Sequence, residues 1–373
     1  MIDRQLINHF DWKVVGVILI LFGMGLLTLY SVTVPSDGQA VRHPLYMKQI
    51  YWMILGLGLF FAMAFVDYHF WVRFSPALYI GSVLFLVLVL FIGRVGQGAR
   101  RWLSLGLFDF QPSEWVKLTL IIVLAHLFSR KYARGGLSFL DLVTPLAICA
   151  IPLVLILKQP DLGTGLVILA ILGTMVFVVG LQSRTLGYGL FLSLMAFPFF
   201  WVAFWKSLKS YQKDRLLTFL NPSADPTGTG YHVLQSKIAI GSGGFWGKGL
   251  WGGTQSQLRF LPEGHTDFIF AVFAEQWGFM GVLVLMALYG YLLWWGIEVA
   301  MKAKDAVGGF MAAGIVTLLL FYLAVNIGMT VGLLPVVGIP LPFMSYGGNS
   351  LLTMLVGMGL LLSIKMRRFM LFY

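Results

Sequence analysis

The sequence predicts an all-α polytopic membrane protein: ten transmembrane helices in a single domain, 1–373, with a large extracytoplasmic loop, about 206–266, between helices 7 and 8. Three observations predict it. The chain is 59% hydrophobic and only 11% charged, whereas charged residues make up about a quarter of an average soluble domain. Its apolar residues gather in windows long enough to cross roughly 30 Å of hydrocarbon. Two of those windows are separated by a connection far beyond the usual length, and such segments are normally functional or disordered.

The expected spans lie near 14–34, 48–66, 77–93, 114–129, 141–157, 163–181, 187–205, 268–299, 309–331 and 346–364. The first is too long for a signal-peptide core and lacks a small-residue cleavage pattern, so it reads as a retained span. The fourth is the least hydrophobic, carrying Glu114, Lys117 and His126, and the eighth is long and interrupted by Gly278 and Gly281. An even number of spans puts both termini on one side. With the termini inside, the inner segments hold twelve Lys and Arg and the short outer loops six, so the positive-inside rule places both termini in the cytoplasm.

Composition excludes cytosolic enzymes, disordered tails and secreted disulfide scaffolds. The single Cys149 sits in an apolar run with no second cysteine to pair with. The six histidines show no metal-ligand spacing, so no dedicated transition-metal site is expected. The net charge of +11 suits a protein among anionic lipid headgroups. The 206–266 segment has Trp246, Trp251, repeated aliphatics and many glycines, so it is expected to fold back on the outer face. Its seven basic residues, with Arg94, Arg100, Arg101 and Lys158 from neighbouring loops, make that face electropositive, fit for an anionic, pyrophosphate-bearing lipid.

The glycine-rich run GSGGFWGKG (241–249) is not a nucleotide loop: Ser242 stands five positions before Gly247 where a Walker motif needs Gly, and Gly249 follows Lys248 where it needs Ser or Thr. Its glycines suit tight turns of a re-entrant segment. Charges inside apolar spans are more informative, because an unpaired one is costly there. Glu114 and Lys117, three apart in QPSEWVK (111–117), share a helical face and can pair. Asp161, in KQPDLGTG (158–165), reads equally as a turn or cap residue. Asp267 opens the eighth span, close to Glu263, His265 and Thr266 and about two turns before Glu275. A helix-start acid is stabilised by the dipole and ordinarily needs no further explanation; the company it keeps here marks it as a candidate.

At these residues the chain resembles the SEDS family (shape, elongation, division and sporulation). The motifs are GARRWLSLG (98–106), FQPSEWVKL (110–118), QPDLGTG (159–165), GYHVLQSKIAIGSGGFWGKG (230–249), GTQSQLRFLPEGHTDFIFAVFAEQWG (253–278) and NIGMTVGLLPVVGIPLPFMSYGG (326–348). QSKIAIGSGG and GTQSQL are similar to its elongation-phase members rather than its division members. Gln276 stands where many relatives have a second acid. The resemblance implies polymerisation of lipid II on the outer face of the bacterial cytoplasmic membrane, into β-1,4 glycan strands that maintain rod shape. It also implies Asp267 as the catalytic position, a class B penicillin-binding transpeptidase as partner, and an assembly with MreC and MreD. No nucleic acid is expected. A lipid II flippase or other carrier is the alternative, though carriers usually place charges at midplane in two repeated halves. A structural scaffold would leave Glu114 and Lys117 without a chemical role.

Residue chemistry agrees independently. A pyrophosphate leaving group needs no general acid, unlike the sugar alcohol released by glycoside hydrolases. One general base and fixed cations suffice. Asp267 is the expected base, and Lys117, Arg101, Lys248 and Arg215 are the expected pyrophosphate contacts, with Glu114 orienting Lys117 and Asp161 and His265 as further substrate contacts. A loosely held divalent cation could share the charge without a protein cage. Topology is open to direct test: with Cys149 replaced, a cysteine introduced at Ser223 should label from outside the cell and one at Ser129 should not. The reverse pattern would move every assigned site to the wrong face.

Overall fold

The computed structural model describes residues 9–368 apart from 34–44, 97–98, 105, 107–108, 132–135, 208–209, 221–227, 259 and 262. Arg134, Ser223 and Arg259 therefore lie outside the described residues. Helices α1 (Trp12–Thr33), α2 (Leu45–Phe65), the short α3 (Tyr68–Arg73) and α4 (Ser75–Ile92) come first. Strands β1 (Arg94–Gly96), β2 (Ala99–Ser104) and β3 (Asp109–Phe110) follow, then α5 (Pro112–Lys131), α6 (Phe139–Lys158), α7 (Leu162–Val179) and α8 (Ser183–Ser207). The chain continues through α9 (Ser210–Leu220), α10 (Thr229–Ser242), the one-turn α11 (Thr254–Gln257), α12 (Ile269–Met301), α13 (Ala306–Thr330) and α14 (Gly348–Met366).

Among the described residues nine helices are long and apolar enough to cross a membrane: α1, α2, α4 to α7 and α12 to α14. They coincide with nine of the expected windows, and α8 covers the other, 187–205. The chain is thus a multi-pass membrane protein. Helices α13 and α14 bury most of their length, whereas α2, α4 and α6 expose most of theirs. A helix that is apolar on every side belongs either inside a large bundle or against lipid, and both placements occur here. Helix α14 packs along α2, α13 along α5, α7 and α12, and α4 along α5.

Two features depart from a plain helical bundle. The connection between α4 and α5 forms a small antiparallel sheet of order β1-β2-β3, pairing Gly96 with Ala99 and Leu103 with Phe110. The long 206–266 connection carries three helices, α9, α10 and α11, together with turns at 243–253 and 263–268.

The break expected in the eighth span falls at Gly278, whose φ of 63° and ψ of −166° are not helical. A broken helix in hydrocarbon must satisfy the backbone groups it frees. The glycine-rich turn after α10 does this: Lys248 N–H donates to Glu275 O and Gly249 N–H to Gln276 O, both 3.0 Å, while Phe279 N–H donates to Gly244 O at 2.9 Å and Met280 N–H to Phe245 O at 3.1 Å. The approach leaves no room for a side chain. A Cβ on Gly247 would lie 2.2 Å from Gln276 O, at a φ of +80° that side chains rarely adopt. Gly247→Ala should therefore lower the melting temperature and membrane accumulation, by strain of about 1–3 kcal/mol plus the clash. Gly241→Ala, in α10, where a Cβ meets nothing within 4 Å, should be neutral or stabilising; equal melting temperatures for the two variants would refute the role given to the turn.

Candidate active site

One cavity of about 1230 Å³ opens at the end of the bundle that carries the small sheet and the α9–α11 connection. Its walls come from distant parts of the chain. Lys48 and Trp52 line it from α2, Arg101 from β2, Glu114 from α5, Asp161 from the start of α7, Arg215 from α9 and His232 from α10. Glu263, Thr266 and Asp267 come from the turn before α12, Tyr322 from α13, residues 336–340 and 346–347 from the α13–α14 connection, and residues 348–350 from the first turn of α14.

The expected pair is present. Lys117 Nζ lies 2.7 Å from Glu114 Oε1, and both side chains are buried. Pro112 in the first turn of α5 suits a helix start, which places Glu114 in the first turn and Lys117 three residues on. Tyr322 of α13 completes the arrangement: its hydroxyl donates to Glu114 Oε2 and Oε1 at 3.1 and 3.2 Å and accepts from Lys117 Nζ. The ammonium also lies 4.8 Å from the Tyr322 ring centre. Glu114 and Tyr322 face the cavity, while Lys117 sits behind them and does not line it.

Asp267 lies in the turn 263–268. It is not the cap of α12: Phe268 holds that position, without a side-chain cap bond. The sequence put this acid at the start of the span, within reach of the helix dipole; the helix instead begins two residues later. Burial pushes the Asp267 pKa up to about 6, the negative charge of Glu263 adds to the rise, and Arg215 opposes it. The turn is fixed through its backbone. Ser345 Oγ donates to Thr266 O at 2.7 Å, Tyr346 N–H to His265 O at 2.9 Å, and Asn326 Nδ2 to Asp267 O at 3.0 Å.

Arg101 lines the cavity while its guanidinium holds the turn before α7, donating from Nε to Gln159 O at 3.2 Å and from Nη2 to Pro160 O at 2.5 Å. Asp161 lines the cavity and also caps α7, its carboxylate accepting from Thr164 N–H at 3.1 Å and from Thr164 Oγ1 at 3.0 Å. Arg215 lines the cavity. His265 does not line it, though its ring lies 6.2 Å from that of Tyr346, which does.

Lys248 is not brought to the cavity. It pairs instead with Glu275, 3.2 Å away, and donates to Ser242 Oγ at 2.8 Å. Glu275 has no solvent exposure, and a buried carboxylate at the helix break needs a cation more than a distant phosphate does. The expected inventory of one carboxylate amid cations is corrected too: Asp109, Glu114, Asp161, Glu263 and Asp267 share the cavity with Lys48, Arg101 and Arg215. Among the described residues no three His, Cys, Asp or Glu side chains gather in a metal-holding group.

Sequence reasoning passed over Tyr322, Asn326 and Asn349. Asn326 is fully buried, and an amide in an apolar span is costly enough to serve as a signal. Asn349, in the first turn of α14, donates to Asp109 O at 2.8 Å and accepts from Gln111 N–H at 3.2 Å, joining the sheet to the start of α5; nothing in its local pattern marks it.

The FtsW/RodA/SpoVE family model, described as "Cell cycle protein", matches residues 12–369. The chain belongs to this family. It is 40% identical over 364 residues to the peptidoglycan glycosyltransferase MrdB of Escherichia coli K12, covering 97% of this chain and 95% of that one. Among solved structures it is similar, with a TM-score of 0.81 and 35% identity over 96% of this chain and 98% of the other, to one described as "Structural coordination of polymerization and crosslinking by a peptidoglycan synthase complex". The rod shape determining protein RodA of Thermus thermophilus matches with a TM-score of 0.70 and 31% identity, over 97% of this chain and 98% of that one.

For this FtsW/RodA/SpoVE member the buried pair gives a direct test. Glu114→Ala or Lys117→Ala leaves one uncompensated charge in the bundle, a loss of about 3–5 kcal/mol in comparable sites. Each single variant should lose activity and accumulate less in membranes. Full activity at normal abundance for either would show the pair to be dispensable.

Proposed function

We propose that this chain is the elongation-phase peptidoglycan glycosyltransferase, polymerising lipid II into β-1,4 glycan on the outer face of the cytoplasmic membrane, with both termini in the cytoplasm. The observation that carries the reading is the placement of Asp267 in a cavity of about 1230 Å³ that also presents Arg101, Arg215 and Lys48, where burial pushes its pKa up to about 6. The likeness to a peptidoglycan glycosyltransferase along nearly the whole chain supports it.

In this reading the 4-hydroxyl of the incoming sugar attacks the anomeric carbon of a glycan carried on polyprenyl pyrophosphate. The new carbon–oxygen bond forms as the bond to pyrophosphate breaks, so an α-linked donor becomes a β linkage. Asp267 accepts the hydroxyl proton, and its pKa near the operating pH suits a general base. Arg101, Arg215 and Lys48 hold the charge that develops on the departing pyrophosphate. Pyrophosphate leaves as an anion, so no acid is required. Polyprenyl pyrophosphate is released, and the lengthened glycan, now carried on the incoming unit's own lipid, passes to a class B penicillin-binding transpeptidase in an assembly with MreC and MreD, a partnership supported by the likeness to a synthase complex described as coordinating polymerization and crosslinking.

The test is polymer formed from labelled lipid II by equal amounts of folded protein. Asp267→Asn should lower the rate by roughly a hundredfold or more. Asp267→Glu should fail substantially as well, because a displacement of about 1 Å disrupts a reactive geometry. In the parent the rate should fall as pH drops through about 6, where Asp267 becomes protonated. Near-parent activity in Asp267→Asn, or lipid II that changes leaflet without forming polymer, would end this reading.

A further inference from the structure

Helix α13 contributes one residue to each half of the site. Tyr322 reaches the Glu114–Lys117 pair, and Asn326, four positions on, reaches the Asp267 turn. Residues four apart lie on one face of a helix, so a single rigid segment touches both groups. We propose that Tyr322 and Asn326 are positioning residues that hold the Glu114–Lys117 pair and the Asp267 turn in one frame. The proposal rests on the reading of Asp267 as the base.

The hydrogen-bond chemistry is specific at both ends. A phenol has one proton to give. Tyr322 directs it to the Glu114 carboxylate at 3.1 and 3.2 Å, which leaves its oxygen free to accept from Lys117 Nζ. The carboxylate is thereby bound on both oxygens, by Lys117 at 2.7 Å and by Tyr322. Its orientation toward the cavity is set by a helix to which it does not belong.

Asn326 spends its amide donor on two backbone carbonyls, Asp267 O at 3.0 Å and Ile339 O at 2.8 Å. Ile339 belongs to the 336–340 wall of the same cavity. Next to it, a Cβ on Gly338 would lie 3.4 Å from Asp267 Oδ2. One side chain therefore ties the catalytic turn to the wall that its carboxylate faces. Among the described residues Asn326 Oδ1 is buried without a hydrogen-bond partner.

Neither side chain is placed to transfer a proton itself. Their effect is on the distance between the base and the anchored carboxylate–ammonium pair, so it should appear in turnover. The experiment is glycan polymerisation by the full-length chain reconstituted in membranes with a class B transpeptidase, using Tyr322→Phe, Asn326→Gln, Asp267→Asn and Tyr79→Phe. Tyr322→Phe keeps the ring and the 2.7 Å ion pair but removes the hydroxyl. Asn326→Gln keeps the amide and moves it by one methylene. Misplacement on the scale of 1 Å costs up to about a hundredfold, so kcat should fall at least about tenfold in each while KM changes little. Tyr79→Phe, on α4, removes a hydroxyl that donates to Ile148 O of α6 at 2.8 Å, outside the cavity, and should leave both constants unchanged at equal folded concentration.

Parent-like kcat in Tyr322→Phe and Asn326→Gln, beside an inactive Asp267→Asn, would overturn the positioning roles and leave the base intact. A raised KM at unchanged kcat would likewise overturn them, by making the two residues substrate contacts. An active Asp267→Asn would remove the base reading and this proposal with it. If Tyr322→Phe does not accumulate, Asn326→Gln decides alone.

Discussion

Inside hydrocarbon a polar group has no water to turn to, so each one must find its partner within the protein. This requirement governs the bundle from end to end. Glu114 and Lys117 are tolerated in α5 because they meet each other at 2.7 Å and because Tyr322 satisfies what remains of both. The break at Gly278 is tolerated because the turn at 243–249 returns to the membrane face and takes up the freed carbonyls and amides. Glu275, one turn before that break, is neutralised by Lys248 from the same turn. Remove any of these partners and the polar group it serves becomes a defect in a lipid-surrounded core.

The same constraint shapes the chemistry. A carboxylate in water has little appetite for a proton at neutral pH. Asp267 is held where solvent is scarce and Glu263 adds negative charge, so its pKa rises to about 6. Arg215, which opposes that rise, and Arg101 line the same cavity. The proposed chemistry asks of this cavity one proton acceptor and fixed cations, and no second carboxylate acting as an acid. Helix α13 gives the cavity its dimensions, since Tyr322 and Asn326 bind groups on α5, on the turn before α12 and on the wall at Ile339.

Much of this was legible along the chain. Hydropathy marked the windows that became the nine membrane-length helices and α8, the i, i+3 spacing of Glu114 and Lys117 marked their pairing, and the glycines of 241–249 marked the returning turn. Other expectations went astray for identifiable reasons. Lys248 looked like a phosphate contact because it is a cation in an outer, glycine-rich segment; the structure commits it to Glu275, whose burial could not be seen from composition. Asp267 looked like a helix-start acid set by the dipole, but α12 begins two residues later and desolvation of the carboxylate raises its pKa.

What the sequence by itself determined is therefore what depends on neighbours along the chain: the membrane-spanning helices, the position of the break, the ion pair within one turn and the candidate base in its motif. What only the tertiary structure decided is which distant group meets which. Tyr322 reaches Lys117 across 205 positions of chain, and Asn326 reaches Asp267 across 59. Periodicity and hydropathy act through local backbone geometry and transfer from water to lipid, and both are readable in a window of twenty residues. The partners of buried polar groups are set instead by how helices cross, and helix crossing exists only once the whole bundle has formed.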